Sequence, residues 1–118
     1  GGYADAIPLN RAIEDGNERI VVVRTRPSGL KIEQGTLDWL ASYWFRDNKA
    51  IAKLFESSHE QYNSVVGQLR SGGNDSATWS EIAPFAPLQS DGYSVSAGDL
   101  RADYRHGMEA ALDWFVSI

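Results

Sequence analysis

The chain has 118 residues, of which 42% are hydrophobic and 23% charged, with four Trp, five Tyr and four Phe. That is enough bulk for one small globular domain and excludes a disordered chain. A net charge of -5 argues against a nucleic-acid-binding face and gives no help to charge-driven attachment to an anionic membrane, and the absence of cysteine excludes disulfides, thiolate zinc sites and cysteine nucleophiles.

No apolar run approaches the ~20 residues of a membrane-spanning helix. The N-terminal residues Gly1-Gly2-Tyr3-Ala4-Asp5 have neither the basic nor the apolar region of a signal peptide. Without an initiator Met, the sequence is expected to be part of a longer or processed protein.

Gly1-Gly2 is loop chemistry, and Ile7 to Asp15 reads as a short helix with Pro8 in its first turn. Leu9, Ala12 and Ile13 share one helical face, and Gly16 suits the left-handed cap that ends it. Ile20-Val21-Val22-Val23 follows. Four β-branched residues without alternation predict a strand buried on both faces, the usual situation in a parallel sheet. Pro27 and Gly29 break the chain after it.

Thr36 is the expected N-cap of a helix over 37–47, with Leu37, Leu40, Ala41 and Trp44 as its stripe, widened by Trp39, Tyr43 and Phe45. A second long helix is predicted from Lys49 to Leu69, on the recurrence of Ile51, Leu54, Phe55, Tyr62, Val65, Val66 and Leu69. Ser57, Ser58, His59 and Glu60 mark a point for a kink. Residues 71–76 are a turn. Thr78 to Ala83 alternates with period two and reads as a short strand, stopped by Pro84 and Pro87. Ser96 or Asp99 caps a last helix whose face carries Leu100, Tyr104, Met108, Ala111 and Phe115.

The pattern is α/β: two short strands with about four helices, mostly helical, with right-handed crossovers as the default connection. Two strands are too few for a complete sheet. The apolar strand at 20–23 wants neighbours and covering helices that the chain barely supplies, so a segment of a larger sheet is expected.

The segment Gly1-Gly2-Tyr3-Ala4-Asp5-Ala6-Ile7-Pro8 resembles the Asp-Gly-Gly loop, hydrophobic-Pro pair and short helix of the patatin-like phospholipases. Ile20 to Val23 resembles the strand that follows in that family, and Arg24-Thr25-Arg26-Pro27 the end of that strand in its bacterial branch. His59-Glu60-Gln61-Tyr62-Asn63 and Leu100 to Gly107 are similar to parts of that branch's helical extension. The resemblance touches both ends and the middle of the chain in short pieces.

It implies a C-terminal segment of a patatin-like α/β hydrolase. Residues 1–30 would end the catalytic domain, with Gly1 and Gly2 as the catalytic-loop match, and 31–118 would form a helical extension with one short strand. In this family a serine in Gly-x-Ser-x-Gly attacks the ester, an aspartate of the Asp-Gly-Gly/Ala loop accepts its proton, and backbone donors hold the oxyanion. Gly-x-Ser-x-Gly does not occur here, and the aspartate would precede Gly1. The resemblance therefore implies no catalytic residue within this chain, no cofactor and no metal. It implies a lipid ester as substrate of the longer protein, a cytoplasmic or membrane-peripheral location, and self-association of the isolated segment through open strand edges.

Other readings stand beside this one. One is an independently folded, non-catalytic interaction or regulatory domain. Another is an unrelated small hydrolase using a serine, His59 and an aspartate. Ser28 and Ser71 lack the strand–turn–helix context of a nucleophile elbow. Asp5 reads as a loop or helix-cap residue. His59 reads as structural, bonding Tyr62 or a carbonyl, and His106 as a partly exposed helix residue. The aromatic group Trp39, Tyr43, Trp44 and Phe45 reads as core or domain-contact packing in preference to a lipid anchor. Arg24, Arg26 and Lys31 read as a solvated basic loop in preference to an anion site, and Glu14, Asp15 and Glu18 as a solvated surface.

Overall fold

The computed structural model describes residues 5–30, 40–41, 43–90, 93 and 95–118. Gly1, Gly2, Lys31, Thr36 and, of the helix expected over 37–47, residues 37–39 and 42 lie outside the described residues. Among those described, the order is α1 (Leu9–Glu14), β1 (Arg19–Val23), α2 (Lys49–Leu69), β2 (Thr78–Ile82) and α3 (Ala97–Ser117), with residues 40–41 and 43–44 also helical.

Helix α1 is shorter than its sequence pattern and begins after Pro8, which occupies the N-cap position and offers no side-chain acceptor. Asn17 closes its other end, donating from Nδ2 to the Ala12 carbonyl at 2.8 Å. Gly16 takes the left-handed conformation expected of it, at φ +85°. Helix α2 starts on Asn48, whose Oδ1 accepts from the Ile51 N–H at 3.3 Å. It runs unbroken through the serine pair. Ser57 donates back to the Lys53 carbonyl at 2.7 Å and Ser58 to that of Phe55 at 3.4 Å, so neither hydroxyl opens the helix. Helix α3 is capped by Ser96, whose Oγ accepts from the Asp99 N–H at 3.0 Å.

β1 and β2 pair in parallel, with Ile20 opposite Trp79 and Val22 opposite Glu81. The long connection through α2 is what parallel strands require. One face of this two-stranded sheet holds the core: Ile7, Leu9, Val66, Leu69, Ala77 and Trp79 are buried, with Ile13, Ile20, Val22, Tyr62 and Val65 packed around them. The Trp79 indole donates to the Gln68 carbonyl at 3.2 Å, and Gln68 donates to Asn10 at 2.8 Å, which ties α1, α2 and β2 together.

The other face differs from its sequence pattern. β1 was expected to be buried on both sides, yet its exposure alternates, with Val21 47% and Val23 74% exposed. Among the described residues a helix lies over β2 on that side, but little lies over β1. α3 also presents the opposite side from the one its pattern favours. Leu100, Tyr104, Met108 and Phe115 are exposed, while Asp103, His106, Ala110 and Trp114 turn inward. Periodicity identifies an apolar stripe but not what covers it. The resulting body is flat, 51 × 43 × 19 Å, with a radius of gyration of 16.5 Å, where a compact chain of this length has about 13.5 Å.

Candidate functional site

The carboxyl ends of parallel strands are where open α/β sheets gather ligands and chemistry. Among the described residues, that edge here holds a network of bonded polar side chains. Alternation along β1 puts Arg24 on the same side as Ile20 and Val22, facing the core. Glu81 lies on the matching side of β2, two residues beyond Trp79, and Tyr62 projects from α2. Arg24 Nη1 meets Glu81 Oε1 at 2.5 Å, and Nη2 donates to the Tyr62 hydroxyl at 2.6 Å. The two charged side chains are only 4% and 15% exposed. Ser28 donates to the second Glu81 oxygen at 2.7 Å. The Arg24 and Arg26 guanidinium groups stand 5.7 and 5.5 Å from the Tyr62 ring centre.

Burial alone would lower the Arg24 pKa, but the hydrogen bonds to Glu81 and Tyr62 outweigh it and hold the guanidinium above its ordinary value. The expectation of a solvated basic loop at Arg24, Arg26 and Lys31 is therefore corrected at Arg24, which is buried and bonded to Glu81 and Tyr62. Arg26 is exposed, and Lys31 lies outside the described residues. The cause was legible: period two continues past Val22 and carries residue 24 to the covered face.

The second polar cluster fastens α3 to the segment after β2. Asp103 accepts from the backbone N–H groups of Gln89 at 2.7 Å and Ser90 at 2.8 Å, and from the Ser90 hydroxyl. His106 Nε2 accepts from the Phe85 N–H at 2.8 Å, and its ring stacks on Phe85 at 5.6 Å. Since a backbone N–H can only donate, this nitrogen carries no proton. The Trp114 indole donates to the Ser80 hydroxyl at 3.0 Å. The Ser90 side-chain bond and the Gln89 N–H are the main reasons the Asp103 carboxyl lies below its ordinary range, with desolvation opposing. A carboxylate held that way is a weaker proton acceptor, the reverse of what a general base beside a serine needs. Ser90 and Asp103 therefore serve as a loop fastening.

No described residues assemble a serine, a histidine and a carboxylate in relay. Ser28 sits on a turn and donates its hydroxyl hydrogen bond to a carboxylate already bound to Arg24. His59 is half-buried on α2, and its Nδ1 has no hydrogen-bond partner among the described residues. Tyr62 bonds Arg24. A groove of about 590 Å³ between α1 and α2 is lined by Asp5, Glu14, Ser58, Glu60 and Ser64 among others, but by neither histidine. Asp5 is exposed and caps nothing, since α1 has no side-chain cap. Among the described residues no group of His, Asp and Glu is arranged to hold a metal ion.

The aromatic group is not core within this chain. Tyr43 is 56% and Trp44 75% exposed, while Phe45 stacks on Phe55 at 5.8 Å; Trp39 lies outside the described residues. Gly1 and Gly2, the catalytic-loop match, also lie outside them. The sequence reading missed Glu81, Asp103 and Ser90 as partners. Of these, only Glu81 left a signal, its spacing of two from the buried Trp79.

No helix among the described residues is long and apolar enough to cross a membrane. Comparisons of the chain with models of protein families, with curated proteins and with solved structures give no match.

Proposed function

We propose that the chain is a C-terminal segment of a patatin-like serine lipid acyl hydrolase, contributing a core strand and helical cover while the nucleophile lies elsewhere in the polypeptide. One observation carries this reading. β1 is an apolar strand of interior composition, yet this chain covers it on one face and leaves Val21 and Val23 open on the other. Further strands beside β1, with a helix over its bare side, would complete the sheet. On this reading Gly1 and Gly2 belong to the loop whose preceding aspartate is the base, and the substrate is an acyl ester of a lipid met from the cytoplasm or at a membrane surface. No cofactor or metal takes part. In the isolated chain, the unpaired edge of β1 also favours association with other copies.

The test is hydrolysis of a short-chain p-nitrophenyl ester by this chain alone and by the longer natural protein. We expect no turnover by the chain above buffer. We expect turnover by the longer protein that is lost when the aspartate before Gly1 is changed to asparagine. Turnover by the 118-residue chain itself, removed by His59→Ala or Ser28→Ala, overturns the proposal.

A second reading, a non-catalytic interaction domain, is favoured by the bonded network that joins β1, the following loop, α2 and β2 through Arg24, Ser28, Tyr62 and Glu81. A sharp cooperative melt of the isolated chain as a single-chain species would support it over the first.

A further inference from the structure

We infer that α3 is a self-association surface, and that its occupant is the α3 of a second copy of this chain, packed antiparallel about a two-fold axis. Leu100, Tyr104, Met108 and Leu112 recur every four residues, and Phe115 and Val116 continue the stripe. All six are between 49% and 86% exposed. A continuous apolar stripe of this length on a helix is the mark of an interface.

Two observations identify the occupant. The first is charge. Arg101, Arg105, Glu109 and Asp113 also recur every four residues and form a row beside the stripe, basic toward the N-terminus and acidic toward the C-terminus. None of the four has an ion-pair partner among the described residues. A two-fold axis perpendicular to the helix near residue 107 keeps this row on the same side in both copies. It sets Arg101 opposite the other copy's Asp113 and Arg105 opposite its Glu109. The row is thus complementary to itself reversed, as an isologous contact requires. Parallel packing would instead put the two rows on opposite sides of the pair, where neither meets the other. Gly107, at the midpoint, adds no side chain to the crossing, and Met108 lies close to the axis.

The second observation is area. The chain exposes 8638 Å², about 2300 Å² more than a compact protein of its mass, whereas a stable pair needs only about 800 Å² from each partner. The stripe is separate from the free edge of β1, and the inference does not depend on the hydrolase reading.

Sedimentation equilibrium of the 118-residue chain and its variants tests this, with circular dichroism to confirm that each variant keeps its helices. The wild type is expected at twice the chain mass, and Met108→Glu at one chain mass. Arg105→Glu and Glu109→Arg are each expected to weaken association about tenfold or more, and the double variant to regain it. A single-chain mass for the wild type at high micromolar concentration overturns the inference. So does an unchanged dimer in the single charge reversals, or a dimer dissociated by Val23→Lys and not by the α3 variants. Cosedimentation of a monomeric wild type with phosphatidylserine vesicles would also overturn it, by making the stripe a lipid-facing surface.

Discussion

The two faces of the sheet are held by different physics. Toward α1 and α2, Leu9, Val66 and Trp79 are packed out of water, and the charged pair Arg24–Glu81 is sealed over them. Toward α3, the contact is narrow. Ala110 and Pro84 are buried, and the rest is fastened by Asp103, His106 and Trp114, each spending its polar group on the β2 side. Burial area drives the first face, whereas a few directional bonds position the second without removing much apolar surface. A helix can thus be placed accurately on a sheet and still leave its most apolar side outward.

This contrast can be broken or sharpened by experiment. Trp79→Ala removes the largest buried side chain of the first face and its indole bond to Gln68, and should cost about 3–5 kcal/mol, read as a drop in urea midpoint. Arg24→Met leaves Glu81 in a poorly hydrated site without its partner and should cost about 3 kcal/mol. Adding Glu81→Gln should recover much of that loss, which a double-mutant cycle would measure. On the second face, Ser96→Ala should cost about 1 kcal/mol, seen as fraying of the first turn of α3 by amide exchange.

The smallest global effect is expected on acidification. Asp103 titrates below its ordinary value of 3.8 in the folded protein. The stability it contributes is fully present above that value and is lost as pH falls through the depressed one. The Gln89 and Ser90 amide resonances should report the release, and Asp103→Asn should abolish the pH response while the packed face stays unchanged.

Much of the element order was legible. β-branched density marked β1, the three-and-four recurrence marked α2, and the period of two marked β2, because these follow from local geometry. What resisted reading was cover. Val21 and Val23 look identical to Val22 in the sequence, and only the position of α3 over β2 leaves them open. The stripe on α3 was visible, but its outward orientation was not, since docking is decided by Ser80, Phe85 and Gln89, distant in sequence. The candidate site was legible in part: Arg24 was singled out, but its partners come from 38 and 57 positions away.

Arg24 has one further consequence, for strand alignment. Sliding β1 by one position against β2 would turn Val21 and Val23 inward and Ile20 and Val22 outward, an exchange of like apolar groups that hydrophobicity alone does little to prevent. The same slip would swing the guanidinium away from Glu81 and Tyr62 and strand a carboxylate among apolar neighbours. The charged pair acts as a pawl, permitting a single alignment and keeping the two bare valines facing outward.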